Sequence, residues 1–415
     1  MKGLCGGKLP GVFPSAKIKS VILLLLFAAA VLLCGSATVF VAGEGIADNK
    51  DADAELSRSV EDMIDNIDAS QLEELLAAMD ESQKNAFGGA SVTERLKKIV
   101  SGEARLDYGN FFSYLFGVLG INVLQYMPLV ISVLGISIAF NIINSVKGRF
   151  ASDSVESIVH FAGVALIVVL ALSQTTALIT DAMRAVESMK KQMNAAFPII
   201  LTMMAASGAN ASVAVYQPSV AILSSGVAEL ISAVVLPCFI LSTVFTVVGS
   251  LSDTVKLQKM SGFFAAASKW LLGVVFFLFI AFLSIQGITA SVYDGVSIRT
   301  AKFAVSKYVP VIGGYLSEGL NLVMAGGVLV KNAVGMTAVV LLLLSLAPLV
   351  VKIIVFNLSL YLASAIVEPL GNAKISAMLA ALSKNTGMLI AVVLGTGFLY
   401  FIFLILVIST GNQIV

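Results

Sequence analysis

Ionisable and amide side chains are scarce inside the apolar runs of this sequence. Glu229, Gln286, Lys331 and Lys352 are the ones set within such runs or at their edges. A charged group at the centre of a bilayer costs about 2.5–3.5 kcal/mol on insertion scales, so it usually faces a protein interior or a water-filled cavity. Lys331 is the most constrained, because apolar residues flank it on both sides. Contact with an ion or substrate and pairing with Glu229 are both open to it, as is snorkelling from a span boundary. Lys352, close to Pro348, reads as a cytoplasmic anchor at the end of a span. Arg299, Lys302 and Ser306 share a helix face by i, i+3, i+7 spacing, opposite Ile298, Ala301, Val305 and Tyr308. That basic face could meet anionic headgroups, a partner protein or a substrate. No nucleotide loop, zinc motif, Ser/His/Asp set or dinucleotide fingerprint occurs, which disfavours an enzyme and calls for no cofactor and no nucleic acid. Cys5, Cys34 and Cys238 offer neither a disulfide framework nor a cysteine metal site. The single histidine, His160, stands at the start of a span as an interfacial residue.

Most of these groups are positioned by residues 286–335, QGITASVYDGVSIRTAKFAVSKYVPVIGGYLSEGLNLVMAGGVLVKNAVG. Asp294-Gly295 is a turn signal, and Asp294 can cap the helix that follows it. Pro310 disfavours helical geometry at Val309 and so ends that helix. Gly313-Gly314 and Gly326-Gly327 punctuate two short apolar segments, and Lys331-Asn332 interrupts the next. A polar, glycine-broken stretch within membrane sequence is tolerated only where protein or water satisfies its backbone. It is therefore the expected working part.

Composition sets the class. Of 415 residues, 58% are hydrophobic and 12% charged, with a mean hydropathy of +0.97, whereas a soluble domain carries about 25% charged residues. With apolar runs of the length that crosses a bilayer, this predicts an all-α, polytopic membrane protein. The net charge of +1 conceals a division. Residues 1–43 hold four Lys and no acids, residues 44–107 hold 16 acids and 7 bases, and residues 108–415 hold 15 bases and 9 acids.

Residues 1–43 read as a secretory signal peptide, with Lys8, Lys17 and Lys19 before an apolar core from Val21 to Leu33. A retained anchor is the alternative. Leu33 before Cys34 is too large for a lipoprotein signal. Residues 44–107 read as an extracytoplasmic region of three short amphipathic helices. One carries Leu56, Val60, Met63, Ile64 and Ile67. The others follow apparent capping boxes at Ser70–Glu73 and Ser91–Glu94. Such helices cannot bury much core alone, so they need a partner or the membrane domain, unless the region is an acidic linker.

The membrane domain, residues 108–415, is expected to hold about seven or eight segments, some broken or re-entrant. Met127–Ile143 is the first clear span, and the short basic loop 144–157 belongs in the cytoplasm. Phe197–Ala206 is separated from Phe239–Val248 by the small residues Ser207–Ser212 and by Pro218 and Pro237. This permits either two spans or a re-entrant pair with one span. Ala333–Val351 and Ile353–Val367 read as separate spans, and Met388–Ile408 as the last. A charged segment, a proline, a break and an apolar run occur at 181–212 and again at 294–327, a trace that inverted repeats leave and that chance also produces.

Gln286-Gly287, Asp294-Gly295-Val-Ser-Ile-Arg299-Thr-Ala-Lys302-Phe303, Pro310-Val-Ile-Gly313 and Leu329-Val-Lys331-Asn332-Ala-Val-Gly335 resemble the stage III sporulation protein AE family of endospore-forming bacteria. The order of features resembles it too, down to Glu368-Pro-Leu-Gly371 before the last span. The family varies at the position of Glu368, and Glu229 belongs to no family motif, which weakens its pairing with Lys331. The resemblance implies a non-enzymatic subunit, conduit or scaffold, in the mother-cell membrane around the forespore. Its partners would be membrane lipids, the other stage III A proteins and the forespore protein Q, in a channel complex that sustains forespore development and late sigma-G activity. A separate cytoplasmic chain would supply the ATPase. The alternative is a self-sufficient small-molecule permease using the broken stretch. For either reading the candidate residues are Gln286, Asp294, Gly295, Arg299, Lys302, Pro310, Gly313, Lys331, Asn332 and Lys352.

Overall fold

Crossing a bilayer takes about 20 apolar residues at 1.5 Å each. Among the described residues six helices are long and apolar enough: Gly109–Ile143, Phe161–Ala206, Asn210–Ser250, Gln258–Ser284, Gly319–Leu370 and Ala373–Ser409. The computed structural model describes residues 50–88, 91–103, 108–145, 153–251, 257–308, 313–370 and 373–410. The expected signal peptide and Pro310 lie outside them. Residues 45–415 form one compact unit, and the protein is an all-α, multi-pass membrane protein.

Four short helices come first: α1 (Lys50–Asp65), α2 (Ser70–Ala77), α3 (Glu81–Phe87) and α4 (Val92–Val100). The long helices α5 (Tyr108–Ser145) and α6 (Asp153–Ala206) follow. Next is α7 (210–251), in which π-helical turns at Ile222–Val227 and Ile231–Val235 interrupt the α geometry. The last are α8 (Gln258–Tyr308), α9 (Gly313–Val367) and α10 (Ala373–Ser409).

Contacts fix how these run. Helix α10 returns antiparallel along α9: Lys331 meets Thr410, Asn357 meets Ser383 and Thr386, and Ser364 meets Ser376. Helix α6 is also antiparallel to α9, through Gln192 with Ser345 and Asp181 with Lys352. On α5, Tyr126 packs against Phe356 of α9 with tilted rings whose centroids are 5.0 Å apart. Helices α7 and α8 pair through Ser242 with Ser261 and Val235 with Ser268. The most apolar part of α10 is 67% buried, against 33% in α5 and 17% in α8. Helix α10 is thus the enclosed member, and α5 and α8 present Phe116, Leu124, Phe277 and Leu278 outward as a lipid-facing surface.

Among the described residues six candidate spans stand where the sequence suggests about seven or eight, because two expected breaks are continuous helix. Phe197–Ala206 forms the last turns of α6, and Ala333–Val351 and Ile353–Val367 are both parts of α9. Helices of 54 and 55 residues measure about 80 Å, well beyond the ~30 Å hydrocarbon layer. Sequence that resembles extra spans is therefore the continuation of the same helices.

The acidic region has four helices rather than three, and among the described residues it is no linker. Val60, Ile64, Leu72, Leu76, Phe87, Val92 and Leu96 are buried. Their stripes close over one another and over α9, where Gln83 Nε2 donates to the Leu344 carbonyl at 2.8 Å. A Cβ on Gly326 would stand 3.2 Å from Met63 Sδ and 3.4 Å from Val60, so that glycine lets α1 approach. The expected capping box at Ser70 does not form. Glu73 instead accepts from Val92 N at 2.7 Å and Thr93 N at 3.3 Å, at the start of α4. The reciprocal box lies at Asp80 and Gln83. Of the box expected at Ser91–Glu94 only one half forms, Ser91 Oγ accepting from Glu94 N–H while the Glu94 carboxylate pairs with Lys98.

Gly326-Gly327 marks close packing rather than a break. A Cβ on Gly327 would lie 3.0 Å from the Met203 carbonyl oxygen and 3.3 Å from Ser207 N, both backbone atoms that cannot rotate away. Gly273 has nothing within 4 Å of the same position. Gly327→Ala is expected to lose about 1–3 kcal/mol by overpacking, whereas Gly273→Ala gains up to about 1 kcal/mol of helix propensity. Thermal unfolding in detergent should show the first lowering Tm and the second leaving or raising it.

Candidate functional site

Two of the sequence-predicted groups, Asp294 and Lys331, bond to helix ends near where α6 turns into α7. Helix α6 ends in a Schellman motif: Ala209 N–H donates to the Met204 carbonyl and Gly208 N–H to the Ala205 carbonyl, both at 2.9 Å. Gly208 has φ +86°, the left-handed conformation that the motif needs and glycine adopts without strain. Helix α7 then starts after Ala209, whose side chain can cap nothing. The cap comes from α8. Ala211 N–H and Ser212 N–H donate to the Asp294 carboxylate at 2.8 and 3.1 Å, and Ser212 Oγ donates to it as well. Asp294 is 1% exposed.

Asp294-Gly295 is therefore no turn. Helix α8 runs straight through it, and Asp294 caps a helix 83 positions away along the chain. A carboxylate facing the first N–H groups of a helix also opposes the positive end of its macrodipole.

Lys331 does the converse. Fully buried on α9, its Nζ donates to the Thr410 carbonyl at the C-terminal end of α10, where the last four carbonyls lack helical partners. Thr410 Oγ1 donates to the Leu406 carbonyl at 2.8 Å, which leaves Tyr216 Oη, 2.9 Å away, to donate to Thr410 Oγ1. Asp294 thus ties α8 to the start of α7, and Thr410 joins Lys331 of α9 and Tyr216 of α7 at the end of α10. Asn332 Oδ1 is buried beside Lys331 in sequence with no partner among the described residues. Helix α9 is unbroken across Lys331-Asn332.

The other candidates lie elsewhere. Glu229 is exposed on α7 and forms no ion pair among the described residues, so the Glu229–Lys331 pairing is not made. Lys352 is no free anchor: its Nζ lies 2.8 Å from Asp181 on α6, both three-quarters buried. Gln286, Gly295, Arg299 and Lys302 sit on the unbroken α8, and the side chains of Gln286, Arg299 and Lys302 lie outside the described ones. Gly313 is the first residue of α9.

The family to which these residues point is settled by comparison. The stage III sporulation protein AE family matches residues 90–411, from just before α4 to the end of α10. The chain belongs to that family. A curated relative, the stage III sporulation protein AE of Bacillus subtilis (strain 168), is 26% identical over 356 residues, 83% of this chain and 89% of the relative. No solved structure matches. The protein is accordingly a sporulation membrane protein.

Within the AE-family region a second set of polar contacts crosses the bundle lower down. Asn385 Nδ2 of α10 donates to Thr246 Oγ1 at 2.6 Å and Ser242 Oγ at 3.2 Å on α7, and Thr246 shares a 2.6 Å bond with Ser261 of α8. Tyr400 Oη and Ser268 Oγ donate to the carbonyls of Leu223 and Val235. Both carbonyls lie in the π-helical turns, where widened geometry frees backbone groups that need a donor in an apolar interior. The sequence reading missed these residues. The available signal was Ser, Thr and Asn within apolar runs, which bond across membrane helices.

Removing the Asp294 cap should be costly. Asp294→Ala leaves the Ala211 and Ser212 N–H groups unsatisfied and is expected to lose about 1–2 kcal/mol. Asp294→Asn, which keeps an acceptor oxygen, should lose less. The order of Tm values, wild type above Asn above Ala, checks this.

Proposed function

We propose that this protein is a non-enzymatic scaffold or conduit subunit of the stage III A–Q transenvelope complex, set in the mother-cell membrane with its acidic helices outside the cytoplasm. The family match over residues 90–411 carries the reading. Its support from the structure is how the buried charges are used. Asp294 and Lys331 each hold the end of another helix, and Lys352 pairs with Asp181. Charges committed to helix ends serve architecture rather than substrate exchange, which weighs against the permease reading. The partners are the other stage III A proteins, the forespore protein Q and membrane lipids, with ATP hydrolysis supplied by a separate subunit. The basic face of Arg299 and Lys302 is the candidate for docking an acidic partner or a headgroup layer.

Purification of the tagged protein from sporulating cells tests this. The other stage III A proteins should remain bound to the wild type and be lost from an Arg299→Glu/Lys302→Glu variant that still reaches the membrane at normal levels. A Lys331→Gln variant should keep its partners. Wild-type protein that purifies without stage III A proteins, or a Lys331→Gln protein that assembles normally but leaves sigma-G inactive, would favour a transport site instead.

A further inference from the structure

We propose that the groove between α1 and the last third of α6 docks a basic amphipathic helix of a partner protein. The groove has two chambers, of about 500 and 270 Å³, which share Asn66 and Met203. Along one wall, on α1 and the turn after it, stand Glu55, Asp62 and Asp68, with Arg58 as the one base among them. The floor is apolar, made by Met63, Ala195, Ile199 and Met203. Asn194 to Met203 on α6 and Glu55 to Asp65 on α1 each run about 15 Å at 1.5 Å per residue, the length of two to three helical turns.

The chemistry of the occupant follows from this layout. Three carboxylates against one guanidinium leave the wall acidic, and residues 44–107 as a whole carry 16 acids to 7 bases. Among the described residues neither Glu55 nor Asp62 forms an ion pair. An anionic membrane surface is repelled by the acidic wall. The complement is a helix with apolar side chains at i, i+3 or i+4 and i+7 on the floor, and Lys or Arg along the rim. Both walls are helices, and the described residues offer no sheet edge to which a strand could add. The inference rests on the assembly reading for the existence of a partner and goes beyond it in naming the surface and the partner's chemistry.

The test places the photocrosslinker p-benzoylphenylalanine at Thr202, an exposed residue of the groove. The control position is Glu74, exposed on α2 and outside it. The full chain is expressed in sporulating cells and the adduct mapped by mass spectrometry. Thr202 should yield an adduct on a basic segment of another protein with helical apolar spacing, and Glu74 should not. Asp62→Lys/Asp68→Lys should lower that yield about tenfold, the scale of two exposed ion pairs. Reversing the charges of the mapped segment should restore it. An adduct on a neutral or acidic segment, on lipid, on a second copy or on this chain's own residues 1–44 would overturn the proposal. So would the absence of an adduct, or a yield indifferent to the charge reversal. Co-purification from the same cells separates the two readings: stage III A proteins retained with no Thr202 adduct removes the groove and keeps the assembly.

Discussion

A helix end buried in apolar surroundings has backbone groups that neither the helix nor water can satisfy, and in this protein another helix supplies the partner. Asp294 of α8 takes the N-terminus of α7, and Glu73 of α2 takes that of α4. Lys331 of α9 takes the C-terminal end of α10. Arg95 of α4 donates to the Phe87 carbonyl at the end of α3, with its guanidinium carbon 4.4 Å from the Phe87 ring centroid. In all four cases the sign of the charge opposes the helix macrodipole. The groups that are most expensive to bury are thereby the ones that tie separate helices together. Close packing accompanies this: the end of α6 at Met203 and Ser207 meets α9 at Gly327, where even a methyl group would crowd backbone.

The remaining interior polarity is spent in the same way. Asn357 donates to the Ser383 carbonyl and to Thr386, and Gln192 donates to Ser345. Asn385, Ser242, Thr246 and Ser261 bind α10, α7 and α8 into one network. Without a hydrophobic driving force between helices in lipid, such bonds and small-residue contacts are what specify association.

Several of these features were legible in the sequence. Composition gave the membrane class, and the residues that carry the family resemblance include Asp294 and Lys331. Ser91 was placed correctly as a cap, and the small residues at 207–212 as a break. What failed was locality. Asp294-Gly295 and Ser70–Glu73 carry residues typical of a local cap, but a carboxylate satisfies any N-terminus within reach, and reach is set by tertiary packing. Gly326-Gly327 similarly reads as a break because glycine weakens a helix, while here it admits Met63, Val60 and the backbone of α6. The span count ran high because polar residues on a continuous helix imitate a loop when their partners lie far along the chain. Asp181, for example, is answered by Lys352, 171 positions away.

Amide hydrogen exchange measures the central claim, that Asp294 pins the buried start of α7 from another helix, most directly. The first N–H groups of a helix exchange fast when only water serves them, and slowly when a fixed acceptor does. In the intact protein the Ala211 and Ser212 amides should therefore exchange as slowly as those in the middle of α7. Exchange at the rate of a frayed helix end, with the rest of α7 protected, would contradict the account.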